Sequence, residues 1–281
     1  MLKFFQKVVC IITLTLLSNV VIANTIVPFE LINGLIVIEA EINGEVGNYI
    51  LDSGSNGILL NSKAEKSDVS YQTLSGVAEG SETKISSLKL GNFESNELFG
   101  FSTDLSNLEI YIDKNLAGIL GCAVFTPSSL EFNFTEERLI ISDKKVDSKL
   151  VEGMSSMSYK LVDDLPIGEL VIDGKKRSFI IDTGASSHFI DSDLIARLGS
   201  KTMKTGITKN ILTASGALSV SEEYTISSLG YGKSKSSMNA FSKDFSGLSE
   251  GLGQDIHGLI SLSKLSDEVI YFDVVNKKVY F

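Results

Sequence analysis

The sequence predicts an all-β protein of two similar lobes, with little helix. Three observations support this prediction. The chain has 281 residues, enough for two compact lobes. Hydrophobic residues make up 43% of it, enough for a buried core. One half of the chain also repeats the other. We therefore expect two β-barrel-like lobes related by a pseudo-twofold axis.

The repeat is clearest at an offset of 130 residues. Residues 29–62 align with residues 159–192 without a gap, and nine of the 34 aligned pairs are identical. The identical pairs are Leu31/Leu161, Leu35/Leu165, Glu39/Glu169, Ile42/Ile172, Gly44/Gly174, Ile50/Ile180, Asp52/Asp182, Gly54/Gly184 and Ser62/Ser192. An aspartate in the first half therefore has an equivalent in the second.

Further along the chain the offset becomes 140, because the second half has ten extra residues between Ser192 and Thr213. At this offset "FSTDLSNL" (101–108) aligns with "FSKDFSGL" (241–248), and the match continues to the last residue. The polar segment between the halves has no counterpart, which is typical of a linker. The predicted organisation is a signal peptide (1–23), an N-terminal lobe (24–141), a linker (142–158) and a C-terminal lobe (159–281).

Local patterns predict the elements of each lobe. Short β-rich runs alternate with Gly, Asn and Ser, which favours strands separated by turns. "NG" at 43 and "DG" at 173 predict tight hairpin turns. We predict one short helix, in "DSDLIARLGS" (191–200), which begins at a capping Asp or Ser and ends at Gly199.

The first 23 residues resemble a secretory signal peptide. Lys3 and Lys7 precede or border an apolar stretch, and "VIA" (21–23) supplies small residues for cleavage. We therefore expect an extracytoplasmic protein, periplasmic or secreted, without stable membrane association after cleavage. Cleavage would also leave Cys122 as the only cysteine, which excludes an intrachain disulfide and favours an apolar filler over a nucleophile.

The charge and the composition exclude several classes of function. The formal charge is −10, and removing the two lysines of the signal gives −10 − 2 = −12. Such acidity argues against nucleic acid as a partner. With only two histidines, a His-rich metal site is excluded, and we expect no cofactor and no metal.

The two equivalent aspartates, Asp52 and Asp182, each follow an apolar strand and precede a hydroxyl residue and glycine. An isolated buried carboxylate is costly, so each must be hydrogen-bonded or share a proton. If the pseudo-twofold axis brings the two turns together, the carboxyl groups hold one proton between them. Such a pair provides an acid and a base at the same place.

These motifs resemble those of the aspartic peptidase family. "DSGS" (52–55) and "DTGA" (182–185) match the D-[TS]-G-[SA] motif once in each half, and "GILG" (118–121) resembles the family's later apolar-apolar-Gly element. The duplication in one chain resembles pepsin-like enzymes, and the short lobes resemble retropepsin-like halves fused in tandem. The resemblance implies an aspartic endopeptidase that binds a peptide in the cleft between the lobes. A duplicated chain also suffices for one site, so we expect a monomer.

The resemblance further implies a role for each residue of the two motifs. Asp52 and Asp182 would activate one water molecule, without a covalent intermediate. Ser53 and Thr183 would form hydrogen bonds to the opposite loop. The remaining supporting residues are Gly54, Ser55, Gly184 and Ala185.

These four residues are expected to determine which hydrogen-bond donors reach the two carboxylates. The glycines would let backbone N–H groups reach the carboxyl oxygens. Ser55 would donate to Asp52, whereas Ala185 has no hydroxyl for Asp182. We therefore predict that Asp52 is the more readily ionised of the two.

Candidate substrate-binding residues flank the motifs. Ser186 and His188 follow the second motif, although His188 is also consistent with a partly exposed loop residue. Ala78 and Gly80 lie in "SGVAEGSETKIS" (75–86), a candidate hairpin over the cleft. The equivalent segment of the second half is "SGALSVSEEYTIS" (215–227), and neither has an aromatic residue at its apparent tip. Ser261 replaces the glycine found at 121, a departure that puts the packing behind the second loop in doubt.

Other functions remain open at this point. A non-catalytic peptide- or glycan-binding protein would retain the same scaffold. A two-carboxylate glycosidase would be expected to use aromatic platforms for sugars, and the chain has no tryptophan. A metal site on two aspartates without further ligands would be weak.

Overall fold

The computed structural model describes residues 24–281 except 56, 63–68, 74, 75, 127, 214–217, 232 and 233. The predicted signal peptide lies outside these residues. Within the described part, the protein is mostly β-strand and has three short α-helices. None of the helices in that part is long and apolar enough to cross a membrane.

The first half of the chain forms ten of the described strands and one helix. They are β1 (Thr25–Ile32), β2 (Leu35–Ile42), β3 (Glu45–Leu51), β4 (Ile58–Asn61), β5 (Val69–Thr73), β6 (Gly76–Leu90), β7 (Phe93–Thr103), α1 (Ser106–Ile112), β8 (Gly118–Leu120), β9 (Ser129–Asn133) and β10 (Arg138–Ser142). A 3₁₀ turn, Cys122–Phe125, follows β8. We call this half the first lobe.

The second half, the second lobe, follows the same order of elements with one added helix. Its elements are β11 (Ser156–Val162), β12 (Leu165–Ile172), β13 (Lys175–Asp182), β14 (Phe189–Asp191), α2 (Ser192–Leu198), β15 (Thr202–Leu212), β16 (Leu218–Tyr231), β17 (Ser234–Lys243), α3 (Ser246–Leu252), β18 (Gly258–Ser261), β19 (Val269–Asp273) and β20 (Lys278–Tyr280). Two 3₁₀ turns, Gly199–Lys201 and Leu262–Lys264, complete it. β12 begins and ends 130 residues after β2, and α3 does so 140 residues after α1.

A shared antiparallel sheet joins the lobes. Its strands follow one another in the order β1, β10, β9, β19, β20 and β11. At its centre Phe132 of β9 lies opposite Ile270 of β19, and both side chains are fully buried. Burial of such large apolar side chains stabilises the contact by about 2 kcal/mol each. The sheet therefore fixes one lobe against the other beneath the cleft.

The predicted turns and the predicted helix are confirmed. Asn43 and Asp173 have φ values of 53° and 54°, and the glycine after each is also at positive φ, as the tight hairpin turn requires. α2 begins after Asp191, whose side chain accepts a hydrogen bond from Leu194 N at 3.1 Å. It ends at Gly199. The capping residues at its two ends identified this helix.

In each lobe a short central strand holds the loop that bears the aspartate. β8 is parallel to β3 and antiparallel to β4, so it lies between the two strands that the loop connects. β18 has the same relation to β13 and β14. The loop therefore crosses the end of the central strand, which supports the loop backbone.

Candidate active site

The two aspartates lie at the carboxyl ends of β3 and β13, where the two lobes meet. In the first lobe Asp52 N donates to Leu120 O at 2.8 Å, and Gly121 N donates to Gly57 O at 2.7 Å. These bonds fix both ends of the loop on β8. The apolar triplets before the aspartates are buried, so the carboxyl groups are placed by the most rigid strands of each lobe.

Crosswise hydrogen bonds connect the two loops. Ser53 N donates to Thr183 Oγ1 at 2.8 Å, and Thr183 N donates to Ser53 Oγ at 3.0 Å. Each hydroxyl then donates to a carbonyl of the opposite lobe, Ser53 Oγ to Ile181 O and Thr183 Oγ1 to Leu51 O, both at 2.8 Å. Ser53 is 1% exposed and Thr183 is 0% exposed, so these bonds form without competition from water.

Two glycines bring the carboxyl groups together. Gly54 N donates to Asp52 Oδ1, and Gly184 N donates to Asp182 Oδ1, both at 2.7 Å. A Cβ at Gly54 would lie 2.9 Å from the Asp182 carboxyl carbon, and a Cβ at Gly184 would lie 2.4 Å from that of Asp52. Each glycine therefore packs against the aspartate of the other lobe, where no side chain fits.

The two carboxyl groups change each other's pKa. Burial raises the pKa of Asp182 well above its ordinary value, and the neighbouring Asp52 raises it further. Burial also raises the pKa of Asp52, and the Gly54 N–H opposes the rise. The pair is therefore expected to carry one proton between its two carboxyl groups.

One predicted contact of Asp52 is different in the structure. We predicted a hydrogen bond from the Ser55 hydroxyl to Asp52, but Ser55 contacts Asp52 through its backbone, with N donating to Asp52 O at 3.1 Å. Gly54 N–H donates to Asp52 Oδ1 instead. That Asp52 is the more readily ionised of the two therefore stays a prediction.

Cys122 lies behind the crosswise bonds. Its Sγ is 3.9 Å from Thr183 Oγ1, and its side chain is buried. Burial, opposed in part by the Thr183 hydroxyl, raises the pKa of the thiol to about 12. The neutral thiol fills space beneath the aspartates, in line with the role predicted from the sequence.

His188 does not line the cavity that contains the aspartates, so its prediction as a substrate contact is not supported; it is a partly exposed residue in the loop before β14, the alternative given above. Its Nδ1 accepts a hydrogen bond from Ser261 N at 3.1 Å. Burial lowers the pKa of the ring to about 4, so the histidine is neutral and can accept this bond. In the first lobe the equivalent donor, Gly121 N, uses Gly57 O instead. His188 thus supports the second loop from behind.

Ser261 is accommodated in the second lobe by a hydrogen bond of its own. Its Oγ donates to Ala185 O at 2.6 Å. At Gly121, by contrast, a Cβ would lie 2.4 Å from Ser55 O and 2.6 Å from Gly57 O. The two loops are therefore supported by different means, and the departure from glycine does not break the packing.

This difference predicts unequal effects of alanine on stability. Gly121→Ala forces the loop backbone away from β8 and should cost about 3 kcal/mol, the upper range for overpacking. Ser261→Ala removes the hydrogen bonds of one hydroxyl, with Ala185 O and Ser263 Oγ, without adding atoms and should cost about 2 kcal/mol. Thermal unfolding of both variants tests the order. An equal or larger loss for Ser261→Ala would contradict it.

The aspartates lie in a cavity of about 290 Å³ between the lobes. Its walls are mainly apolar, with Leu35 and Leu59 from the first lobe and Ile180 and Phe189 from the second. Of the other predicted residues, Gly54, Ser55, Gly184, Ala185 and Ser186 also line it. An extended peptide with apolar side chains fits such walls.

The predicted hairpins over the cleft are present in part. β5 pairs with β6, and β15 with β16, but both tips lie outside the described residues. Gly80 is buried in β6 and does not line the cavity, so its prediction as a substrate contact is not supported. The backbone of Ala78 pairs with Tyr71, and its side chain is outside the described part.

The second hairpin supplies residues that the sequence analysis missed. β15 has 11 residues against five in β5, and residues 209–213 line the cavity. Leu212 also packs against the apolar cluster of the first lobe, so β15 crosses the cleft. The ten extra residues found in the alignment were the available signal for this difference.

Comparison with known proteins agrees with this geometry. Residues 167–263, which include Asp182, match the family model described as aspartyl protease. The fold matches the crystal structure of an aspartic proteinase from Irpex lacteus, at 17% sequence identity and a TM-score of 0.51. The match covers 92% of this chain and 96% of that one. No curated protein matches the chain significantly.

The fold is therefore that of the bilobal, pepsin-like aspartic proteinases. The family match is confined to residues 167–263 of the second lobe, whereas the fold match extends over both lobes.

Proposed function

We propose that the protein is an exported aspartic endopeptidase that hydrolyses peptide bonds with Asp52 and Asp182. The observation that carries the proposal is that crosswise hydrogen bonds and two closely packed glycines hold these two carboxyl groups together on the floor of the interlobe cavity. Retaining two buried, coupled carboxyl groups in an open cavity costs stability, which favours a catalytic role for them.

The difference between the carboxyl groups gives each a role. Asp52, ionised, takes a proton from a water molecule as its oxygen attacks the scissile carbonyl carbon. Asp182, protonated, gives its proton to the carbonyl oxygen, so a neutral tetrahedral diol forms. As the diol collapses, Asp52 passes its proton to the amine nitrogen and the C–N bond breaks. A diol proton returns to Asp182, and the initial state is restored.

The surroundings support a peptide as substrate. The strands around the cavity offer backbone edges to an extended chain, and the apolar walls accept its side chains. We further propose a cleaved signal peptide at residues 1–23, lobes at 24–141 and 159–281 with a linker at 142–158, and a periplasmic or secreted monomer. The peptide or protein substrate is its expected partner, with no nucleic acid and no cofactor.

The proposal is tested by incubating protein that begins at Asn24 with a diverse peptide mixture and identifying the products by mass spectrometry. We expect cleavage at acidic to neutral pH and inhibition by a statine-type compound. Asp52→Asn and Asp182→Asn run beside it and should be inactive. Folded wild-type protein that cuts nothing would overturn the peptidase and leave a binding protein on the same scaffold.

A further inference from the structure

A lysine lies in the cavity at a distance from the two aspartates. Lys209 of β15 lines the cavity wall, and its side chain is partly buried. Its Nζ donates to Ser186 Oγ at 3.0 Å and to Ser187 Oγ at 3.1 Å, and it lies 5.9 Å from the centre of the Phe241 ring. Two neighbouring hydroxyls and one aromatic ring therefore hold the ammonium group in place.

This ammonium group has no anionic partner among the residues that the structure describes. None of the ion pairs between described residues includes Lys209. An ammonium group has three N–H donors, and the two serines take two of them. Burial and the charge of Lys264 lower the pKa of Lys209, because both disfavour its charged form. A carboxylate at this point would occupy the third donor and relieve both effects.

The other charged groups of the cavity set the position of this site. Asp52 and Asp182 are the proposed catalytic pair, whereas Lys209 donates to Ser186 and Ser187, so the lysine acts on another part of the substrate. Asp163 and Lys243 also line the wall. Lys243 Nζ donates to Ser219 Oγ at 3.2 Å, on the strand paired with β15. Lys209 is therefore the lysine of this wall that the two serines next to the second motif hold towards the cavity.

We propose that Lys209 with Ser186 and Ser187 forms a subsite for an acidic side chain, Asp or Glu, of the peptide substrate. This inference rests on the proposed function and adds a substrate class to it: peptides with apolar side chains near the scissile bond and one acidic side chain at a fixed distance from it. The carboxylate accepts a charge-assisted hydrogen bond from Nζ. Because the site is half-buried, this bond is screened less than a surface ion pair.

The test measures binding separately from cleavage. Immobilised Asp182→Asn protein is exposed to a random peptide mixture, and bound peptides are identified by mass spectrometry. We expect Asp or Glu to be enriched at one position. For a matched peptide pair with Glu or Gln there, the Glu form should bind about tenfold more tightly.

Matched variants identify the lysine responsible. Lys209→Met in the same background should abolish the difference between Glu and Gln, and Lys209→Glu should favour Lys or Arg at that position. Lys204→Met is the control, because Lys204 lies on the same strand, is exposed and pairs with Glu222 at 2.6 Å. It should leave the preference unchanged. A preference that survives in Lys209→Met would overturn the inference.

The cleavage experiment separates the two proposals. If wild-type protein cuts peptides but neither its cleavage sites nor the bound peptides show an acidic preference, the subsite is wrong and the peptidase stands. If the Asp182→Asn protein selects acidic peptides through Lys209 while wild type cuts nothing, the peptidase is wrong and the subsite stands. If no peptide binds and wild type cuts nothing, both are wrong.

Discussion

Asp182→Asn is expected to lower kcat at least about a thousandfold, the range attributed to a positioned acid or base. Asparagine has nearly the shape of aspartic acid, and its oxygen can still accept the hydrogen bond from Gly184 N. It cannot give a proton to the carbonyl oxygen of the substrate. Initial rates on a peptide found in the cleavage mixture provide the measurement, and the dissociation constant of that peptide should change little.

The same substitution should raise stability at neutral pH. In the unfolded chain Asp182 titrates near 3.8, and in the folded protein its pKa is raised. Between these values the folded state holds a proton that the unfolded state releases, so the free energy of unfolding falls as pH rises through this window. Asparagine at position 182 removes this loss of unfolding free energy. Asp182→Asn should therefore unfold at a higher temperature than wild type at pH 7, with a difference that shrinks towards pH 3.8.

Asp173→Asn is the matched control for the loss of activity. Asp173 is exposed and lies in the turn between β12 and β13, where the first lobe has Asn43 before its glycine. Asparagine suits that turn, so activity should be unchanged. An Asp182→Asn protein that retains more than a tenth of the wild-type kcat would exclude Asp182 as the general acid.

The pairing of Asp52 with Asp182 could be predicted because an ungapped repeat preserves position along the strand. A shift of one residue would turn every side chain of β3 or β13 to the other face, so the aligned apolar triplets fix where each aspartate emerges. The crosswise hydrogen bonds follow from the same symmetry, since a hydroxyl residue after each aspartate meets its equivalent across the axis.

The features that break the symmetry could not be predicted in this way. Ser55 differs from Ala185 by one hydroxyl. The contact of Ser55 with Asp52, however, depends on a loop geometry that the amino-acid sequence does not specify. His188 aligns with Ile58, so the repeat gave no indication that its ring would replace a backbone carbonyl as acceptor. Whether a side chain or a backbone carbonyl accepts this hydrogen bond is visible only in the three-dimensional structure.

Lys209 illustrates the same limit in the second hairpin. The pairing of β15 with β16 is irregular between Lys204 and Thr208, so strict alternation of faces does not continue through the strand. Counting from Lys204, which is exposed, therefore does not tell whether Lys209 faces solvent or the cavity. The helices α1 and α3 were also missed: they have seven residues, as α2 does, but they begin after Leu105 and Phe245, which cannot cap a helix with a side chain as Asp191 does.

Thr183→Val is expected to lower the free energy of unfolding by about 2 to 5 kcal/mol, because it leaves two buried groups without partners. Valine has the shape of threonine but cannot accept from Ser53 N or donate to Leu51 O, and both contacts are at 2.8 Å in a fully buried site. Urea unfolding monitored by circular dichroism gives the change in free energy. Since the bonds also set the distance between the aspartates, kcat should fall more than the affinity for peptide.

Thr183→Ser is the matched control, because it retains the hydroxyl and removes only a methyl group. It should cost about 1 kcal/mol and keep most of the activity. Ser53→Ala should act in the same direction as Thr183→Val, since Ser53 Oγ accepts from Thr183 N and donates to Ile181 O. In the double variant the losses should sum to less than the two separate values, as expected for one network. Fully additive losses would instead mean that each hydroxyl supports only its own loop, and that the shared geometry of the two aspartates is fixed by the sheet beneath them.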